Sequence, residues 1–332
     1  MTHLVEIHAS SELAGIVPSG DLLSIVPESL IADAPDAHWV LIDASDRIAA
    51  RCSLWWRRVP SHGDQTLGVI GHFAAADSAS GVELLRHSCA QLAAKSCTLA
   101  VGPMDGNTWR RYRFVTDRGN EPPFFLEPDN PDEWPRYFVA AGFSSLATYT
   151  SALNRDLTCL DPRIPSILGR ITGAGISIRH AEAAHMEDEL RRVYAMSIAS
   201  FQNNFLYTPL QEAEFLAQYR KILSYIRPEL VLIAERSGQP VGFLFAIPDV
   251  LQPTRQEPND TFIIKTVAVV PDCSASGLGS LLVARAQQFA HELGFRRAIH
   301  ALMHESNRSL RISEHTAVTM RRYALYALRL LP

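Results

Sequence analysis

Apolar and polar positions repeat along the second half of the chain with two distinct periods, and the switches between them mark its elements. Ile176 to His180 alternates with period two and predicts a strand, while His185 to Phe201 sets Met186, Leu190, Val193 and Ser197 on one helical face. Gln211 to Ile222 predicts a second amphipathic helix. Leu230 to Ala234 and Val241 to Ile247 are strand-like runs split by the turn Arg236-Ser-Gly-Gln-Pro240, a hairpin signature. A strand from Phe262 to Val270 meets Pro271 and a loop of small residues, and a helix from Leu278 to Leu293 closes at Gly294. A strand over Arg296 to Met303, a short helix over Asn307 to His315 and a last strand over Thr319 to Leu330 complete the order. That order predicts a mixed sheet flanked by helices, an α/β chain of the α+β kind, and not a doubly wound one.

The first half echoes it. Trp39 to Asp43, a turn, and Ile48 to Trp56 answer the hairpin; Ser78-Ala-Ser-Gly81 before a helix from Val82 to Ala94 answers Ser274-Ala-Ser-Gly277; Asp105-Gly-Asn107 answers Glu305-Ser-Asn307. The three matches keep one order at a nearly constant offset, as an internal duplication would. Between the halves, Asp156 to Gly175 holds two prolines and three glycines without a sustained amphipathic period and reads as a linker. The expected organisation is therefore a domain over 1–155, a linker over 156–175 and a domain over 176–332.

Composition narrows the chemistry. The chain has 332 residues, 47% of them hydrophobic and 20% charged, which describes a water-soluble globular protein long enough for two cores. Its net charge is −4 and no run of basic residues is long enough to track a nucleic acid, so neither nucleic acid nor membrane is an expected partner. The charge is unevenly spread: residues 1–160 carry 12 basic and 19 acidic side chains, so the excess of basic groups falls in the second half, the better host for an anionic ligand. Cys52, Cys89, Cys97, Cys159 and Cys273 show no metal-ligand spacing, and the N-terminus shows no basic region followed by an apolar run. No metal and a cytoplasmic location are the expectations.

The informative segment runs from Lys265-Thr-Val-Ala-Val269 through Pro271 to Ser274-Ala-Ser-Gly-Leu-Gly-Ser280. Gly277 and Gly279 let backbone approach a ligand where a helix begins, so exposed amides and the positive end of the helix dipole converge on one point, which suits phosphate. A dinucleotide fingerprint needs a small residue where Leu282 stands, and a Walker loop needs a Gly-Lys-Ser or Gly-Lys-Thr that does not follow. A diphosphate held without metal remains, as does a plain strand-to-helix turn.

In Val267-Ala-Val269, Pro271, Gly277 and Gly279 the chain resembles the GNAT N-acetyltransferase superfamily, whose core is a strand ending Val-Ala-Val-x-Pro followed by Arg or Gln-x-x-Gly-x-Gly or Ala. The resemblance implies two GNAT-like domains in tandem, each a mixed, largely antiparallel sheet flanked by helices, the N-terminal copy degenerate. It implies acetyl-CoA or another acyl-CoA as co-substrate, with the backbone of Val267, Ala268 and Val269 along its pantetheine arm. The amides of Ser274, Ala275, Ser276, Gly277, Leu278, Gly279 and Ser280 would hold its pyrophosphate, and Asn307 would face the pantetheine. Ser274 stands where the family has Arg or Gln, which removes a charge-assisted contact of about 1.5–3 kcal/mol. Carrier-protein-dependent or aminoacyl-dependent transfer, or a non-catalytic CoA-binding module, is the alternative. Glu314 and His315 stand near where the family often has a tyrosine acid. Glu83 answers Gly279, and a carboxylate there repels a diphosphate by roughly 4 kcal/mol at 4 Å and an effective dielectric near 20.

Transfer to an amine of a small molecule or peptide needs a base, an oxyanion donor and a proton for the thiolate. The candidates are His304, with Glu305 beside it; Lys265, as a base or as a grip on an acceptor carboxylate; and Tyr323. His300 and His304 are four apart and are expected on one strand face, whereas Tyr323 and Tyr326 are three apart and are expected on opposite faces. Phe201 to Leu210 mixes aromatic and amide side chains and suits acceptor recognition. Each of these residues is equally compatible with a role in packing or on the surface.

Overall fold

Several strands are apolar at nearly every position, and such strands need cover on both faces. The computed structural model describes residues 2–15, 17–159, 161–273 and 277–330. The first half runs through β1 (His3–Ile7), β2 (Val17–Pro18), α1 (Pro27–Asp33), β3 (Ala37–Ile42), β4 (Arg47–Trp55) and β5 (Leu67–Ala75). It continues with α2 (Ser78–Ala94), β6 (Leu99–Gly102), β7 (Phe114–Asp117), α3 (Trp134–Ala140) and β8 (Ser144–Asn154). The second half comprises α4 (Ile164–Gly173), β9 (Ile176–His180), α5 (Met186–Phe201), α6 (Glu212–Arg220), β10 (Val231–Arg236) and β11 (Gln239–Pro248). It ends with α7 (Leu251–Thr254), β12 (Thr261–Val269), α8 (Leu278–Glu292), β13 (Arg297–His304), α9 (Arg308–Ser313) and β14 (Val318–Arg329).

All of the strands belong to one sheet, ordered β1-β3-β4-β5-β6-β14-β8-β13-β12-β11-β10-β9, with β2 on β4 and β7 on β14. The two halves repeat the same order outward from the middle, and their last strands are exchanged. β14 lies antiparallel on β6 of the first half, and β8 lies antiparallel on β13 of the second. β8 and β14 then pair with each other from Val318↔Leu153 to Ala327↔Ser144. Two separate sheets would expose four ends; the main path of the fused sheet has two, β1 and β9.

α2 and α3 cover the first half around Leu84, Leu92 and Phe138. In the second half α4 and α8 pack on one face through Ile167, Ile171, Leu278 and Leu282, and α5 and α6 on the other through Val193, Met196 and Phe215. Among the described residues no helix is long and apolar enough to cross a membrane.

Two local expectations change. Residues 164–173, expected within an irregular linker, form α4, because Ile164, Ile167, Leu168 and Ile171 make an i, i+3, i+4, i+7 stripe and Pro165 occupies the first turn. Ser78 to Gly81, expected as a loop, is the first turn of α2, where the Asp77 carboxylate accepts the Ser80 N–H at 2.8 Å.

Candidate active site

β12 and β13 run parallel and paired only from Thr261↔Arg297 to Ile264↔His300. Beyond that point β12 still pairs with β11, as far as Val269↔Gly242, but has no ladder partner on its β13 side. The cause lies in β13, whose register against β8 shifts between His300 and Met303, with Leu302 at φ +60° and its N–H turned to Ser151 Oγ at 3.0 Å. The opening leads into a cavity of about 1520 Å³ that both halves line.

Val267 and Asn307 line this cavity, and Val269 is half-buried beside the start of α8. The side chain of Ala268 turns the other way, into the cluster under α5. Gly277 caps α8 at φ +88°, a conformation open to glycine. A Cβ on Gly279 would stand 3.3 Å from Ile312 Cδ1 and within 3.9 Å of Val267 and Val269 side-chain carbons, so its absence leaves space between the strand end, α8 and α9. This narrow cradle, continuous with an open strand edge, fits a linear amide chain ending in phosphates. Leu278 packs into the core beneath α8 and Ser280 is half-buried. Ser274, Ala275 and Ser276 lie outside the described residues. Asn307 sits at the start of α9, exposed and without a side-chain capping bond.

Lys265 extends from β12 into the same cavity and donates to the Leu126 carbonyl at 3.0 Å. Burial and the neighbouring Arg113 bring its pKa down to about 7, with Glu127 opposing. His304 stacks edgewise on Tyr149 and leans on Phe205 of the Phe201–Leu210 loop, which thus lines the site. Its Nδ1 accepts the Ser306 N–H at 3.1 Å, so the neutral ring carries its proton on Nε2, which is buried and free of any partner. Burial lowers its pKa. In that tautomer His304 carries an N–H at Nε2 and an occupied acceptor at Nδ1.

The β13 bulge overturns the same-face expectation for the two histidines. His300 is buried against α8, bonded to Gln287 at 3.0 Å and held near pKa 4 by burial, while His304 faces Tyr149. Glu305 turns out of the cavity, where its carboxylate accepts from Thr148 Oγ1. Tyr323 is fully buried, and its hydroxyl is engaged by Ser151 at 2.9 Å and by Glu127. Tyr326 packs with Phe114 and Phe138 in the other cluster, as the spacing of three expects. Glu314 and His315 are exposed and outside the cavity lining.

The sequence reading missed Arg113, Glu127 and Arg321. Arg113 packs against the rings of Tyr112 and Tyr149, 3.9 and 4.2 Å from their centroids. Glu127 accepts from Arg321 and Tyr323 and takes the Phe124 N–H at 3.1 Å. The interleaved run Arg110-Arg-Tyr-Arg113 was a visible signal for the first; nothing in β14 marks Arg321 as buried.

In the first half the corresponding opening is closed. β5 and β6 pair from Leu67↔Leu99 to Val69↔Val101, and beyond them Met104 N–H donates to the Ile70 carbonyl at 2.9 Å. His72 N–H donates to Asp105 Oδ1 at 2.6 Å and the Trp134 indole to the Ala75 carbonyl at 3.1 Å. A Cβ on Gly71 would overlap the Met104 carbonyl, and one on Gly81 would meet the Tyr137 ring at 2.8 Å. Asp33, His72 and Asp105 gather within 4.8 Å here, but Asp33 already pairs with His72 at 2.9 Å and with Arg110 at 3.2 Å.

The acetyltransferase (GNAT) family model matches residues 190–312. A comparison with curated proteins found no match. Among solved structures, the GCN5-related N-acetyltransferase of Sphaerobacter thermophilus aligns over 99% of this chain and 96% of its own, at TM-score 0.52 and 13% identity. The tandem GNAT protein of the clavulanic acid biosynthesis pathway aligns over 100% and 99%, at TM-score 0.51 and 12% identity. The GCN5-related glucosamine N-acetyltransferase region of a fungal multi-domain β-N-acetylglucosaminidase reaches TM-score 0.55 at 13% identity, with this chain spanning 38% of that protein. At these identities the likeness is one of fold. Residues 190–312 thus match the acetyltransferase (GNAT) family model, and the chain shares the fold of a tandem GNAT protein.

Proposed function

We propose that the second half, residues 176–332, transfers an acyl group from acyl-CoA, acetyl-CoA in the first instance, to an amine held in the cavity between the halves. The open edge of β12 carries this reading. Its backbone beyond Ile264 is free on the β13 side, whereas the matching groups of β5 are taken by Met104, Asp105 and Trp134. One coenzyme site per chain follows, and the first half is the degenerate copy.

Acyl-CoA supplies a thioester, whose carbonyl is attacked by the amine and whose sulfur leaves. The backbone of Val267 and Val269 holds the amide arm, Gly277 and Gly279 admit the phosphates at the start of α8, and Asn307 closes the far side. His304 lines the opening, with its Nε2–H buried in the wall. Tyr149 and Phe205 fix its ring from two sides. Lys265 changes protonation near neutral pH and faces the acceptor.

The test is calorimetric titration of the whole chain with acetyl-CoA, followed by release of free thiol with a panel of amines. Binding of one equivalent and amine-dependent thiol release support the proposal. Binding without thiol release indicates a non-catalytic module, and transfer only from an acyl carrier protein indicates the other donor.

A further inference from the structure

Arg113 is 7% exposed, and among the described residues it forms no ion pair. Among the described residues its side chain makes one hydrogen bond, a long one, 3.4 Å from Nη1 to the Leu302 carbonyl, and Nε is buried with no partner. A guanidinium removed from water and left without an anion is costly. Cation–π contacts with two tyrosine rings recover part of that cost and leave its N–H groups largely unmet. Lys265 stands close enough to feel its charge and donates only to a neutral carbonyl. The carboxylate that acts on Lys265, Glu127, already has both oxygens engaged, by Tyr323 on one and by Arg321 and the Phe124 N–H on the other. Two cations thus flank the β12/β13 opening, Lys265 on β12 and Arg113 against β13, with an excess of positive charge.

We propose that the acyl acceptor carries a carboxylate, which docks between the edge of Arg113 and the ammonium of Lys265. The inference rests on the acyltransferase reading above and adds the acceptor's class: an amino acid, or a compound bearing amine and carboxylate together. A carboxylate suits this place because the guanidinium N–H groups are almost unpaired, and their fork matches a planar partner. Docking also settles the acceptor's proton. Neutral Lys265 takes one proton from the acceptor ammonium: an N–H bond of the acceptor breaks, one on Nζ forms, and the amine is left neutral beside a charged Lys265 paired with the carboxylate.

Two measurements on the full chain test this. Crystals soaked separately in 4-bromobenzoate, 4-bromobenzamide and phenyl phosphate are read by bromine anomalous signal or by density. The proposal expects the benzoate carboxylate on Arg113 and Lys265, no benzamide there, and loss of the benzoate in Arg113→Gln. Equal occupancy by the benzamide, preference for phenyl phosphate, or no benzoate at this place overturns it, whether or not acetyl-CoA binds. In the thiol-release assay, amino acids should exceed their carboxamides at least 100-fold in kcat/KM. Arg113→Gln should raise the acceptor KM at least tenfold with the acetyl-CoA affinity within twofold. Equal turnover of the amides overturns the inference while leaving the acyltransferase reading intact; failure of acetyl-CoA to bind removes that reading and leaves the soak as the judge of the anion site.

Discussion

Trp134 donates its indole N–H to the carbonyl of Ala75 at 3.1 Å, at the last residue of β5. Ala75 stands opposite Ala50 just as Val269, the last residue of β12, stands opposite Gly242. One end is sealed by a side chain of its own half and the other is open. Trp134→Phe removes the seal and strands a buried carbonyl, so unfolding should come about 1–3 kcal/mol sooner, measured by denaturant titration. The stoichiometry of acetyl-CoA should stay at one per chain, because Met104 and Asp105 still occupy the slot. A second equivalent would contradict the account.

The exchanged strands make the halves interdependent. Residues 1–155 expressed alone would carry β8 away from β13 and leave β6 without β14; residues 176–332 alone would do the reverse. Each fragment should be unfolded or aggregated by circular dichroism and gel filtration, and co-expression should restore a one-to-one complex. A monomeric, cooperatively folded fragment would show that the exchange is dispensable.

Tyr323 holds its hydroxyl in a chain from Leu302 N–H through Ser151 to Glu127, a geometry that predicts a supporting role. Tyr323→Phe should cost about 1 kcal/mol of stability and leave kcat within threefold. Arg321→Met strands the buried Glu127 carboxylate and should cost about 3–5 kcal/mol. A Tyr323→Phe loss of a hundredfold or more in kcat at unchanged stability would return the tyrosine to the chemistry.

Lys265 is a cation whose pKa falls from 10.5 to about 7 on folding, under burial and Arg113, against the pull of Glu127. It is charged below about 7 and neutral above, so kcat/KM should rise with pH through about 7 and level off. The unfolded chain binds the extra proton between about 7 and 10.5, so this group makes stability rise with pH over that window. Lys265→Arg keeps the charge at every pH. The acceptor KM should stay within about threefold, while kcat falls at least tenfold and the acid limb disappears. An unchanged pH profile would contradict the assignment.

How far the sequence reached follows from what periodicity encodes. The order of elements in the second half and the ends of α8 were readable because apolar spacing and Gly294 report local geometry. The exchange of β8 and β14 was not, since alternation tells which face a residue takes and never which strand lies beside it. The bulge at Leu302 was equally hidden, and it undid the parity argument for His300 and His304. Arg321 reads as a solvent-facing charge in a strand; its partners, the Glu127 carboxylate and the carbonyls of Arg118 and Glu121, come from the other half of the chain.

The most direct measurement is a crystal structure of the full chain grown with saturating acetyl-CoA. The account expects one coenzyme per chain, its amide arm along Val267 to Val269 between β12 and β13 and its phosphates at Gly277 and Gly279. Density along β5, or an opening between β12 and β13 that stays free of coenzyme at saturation, would contradict it.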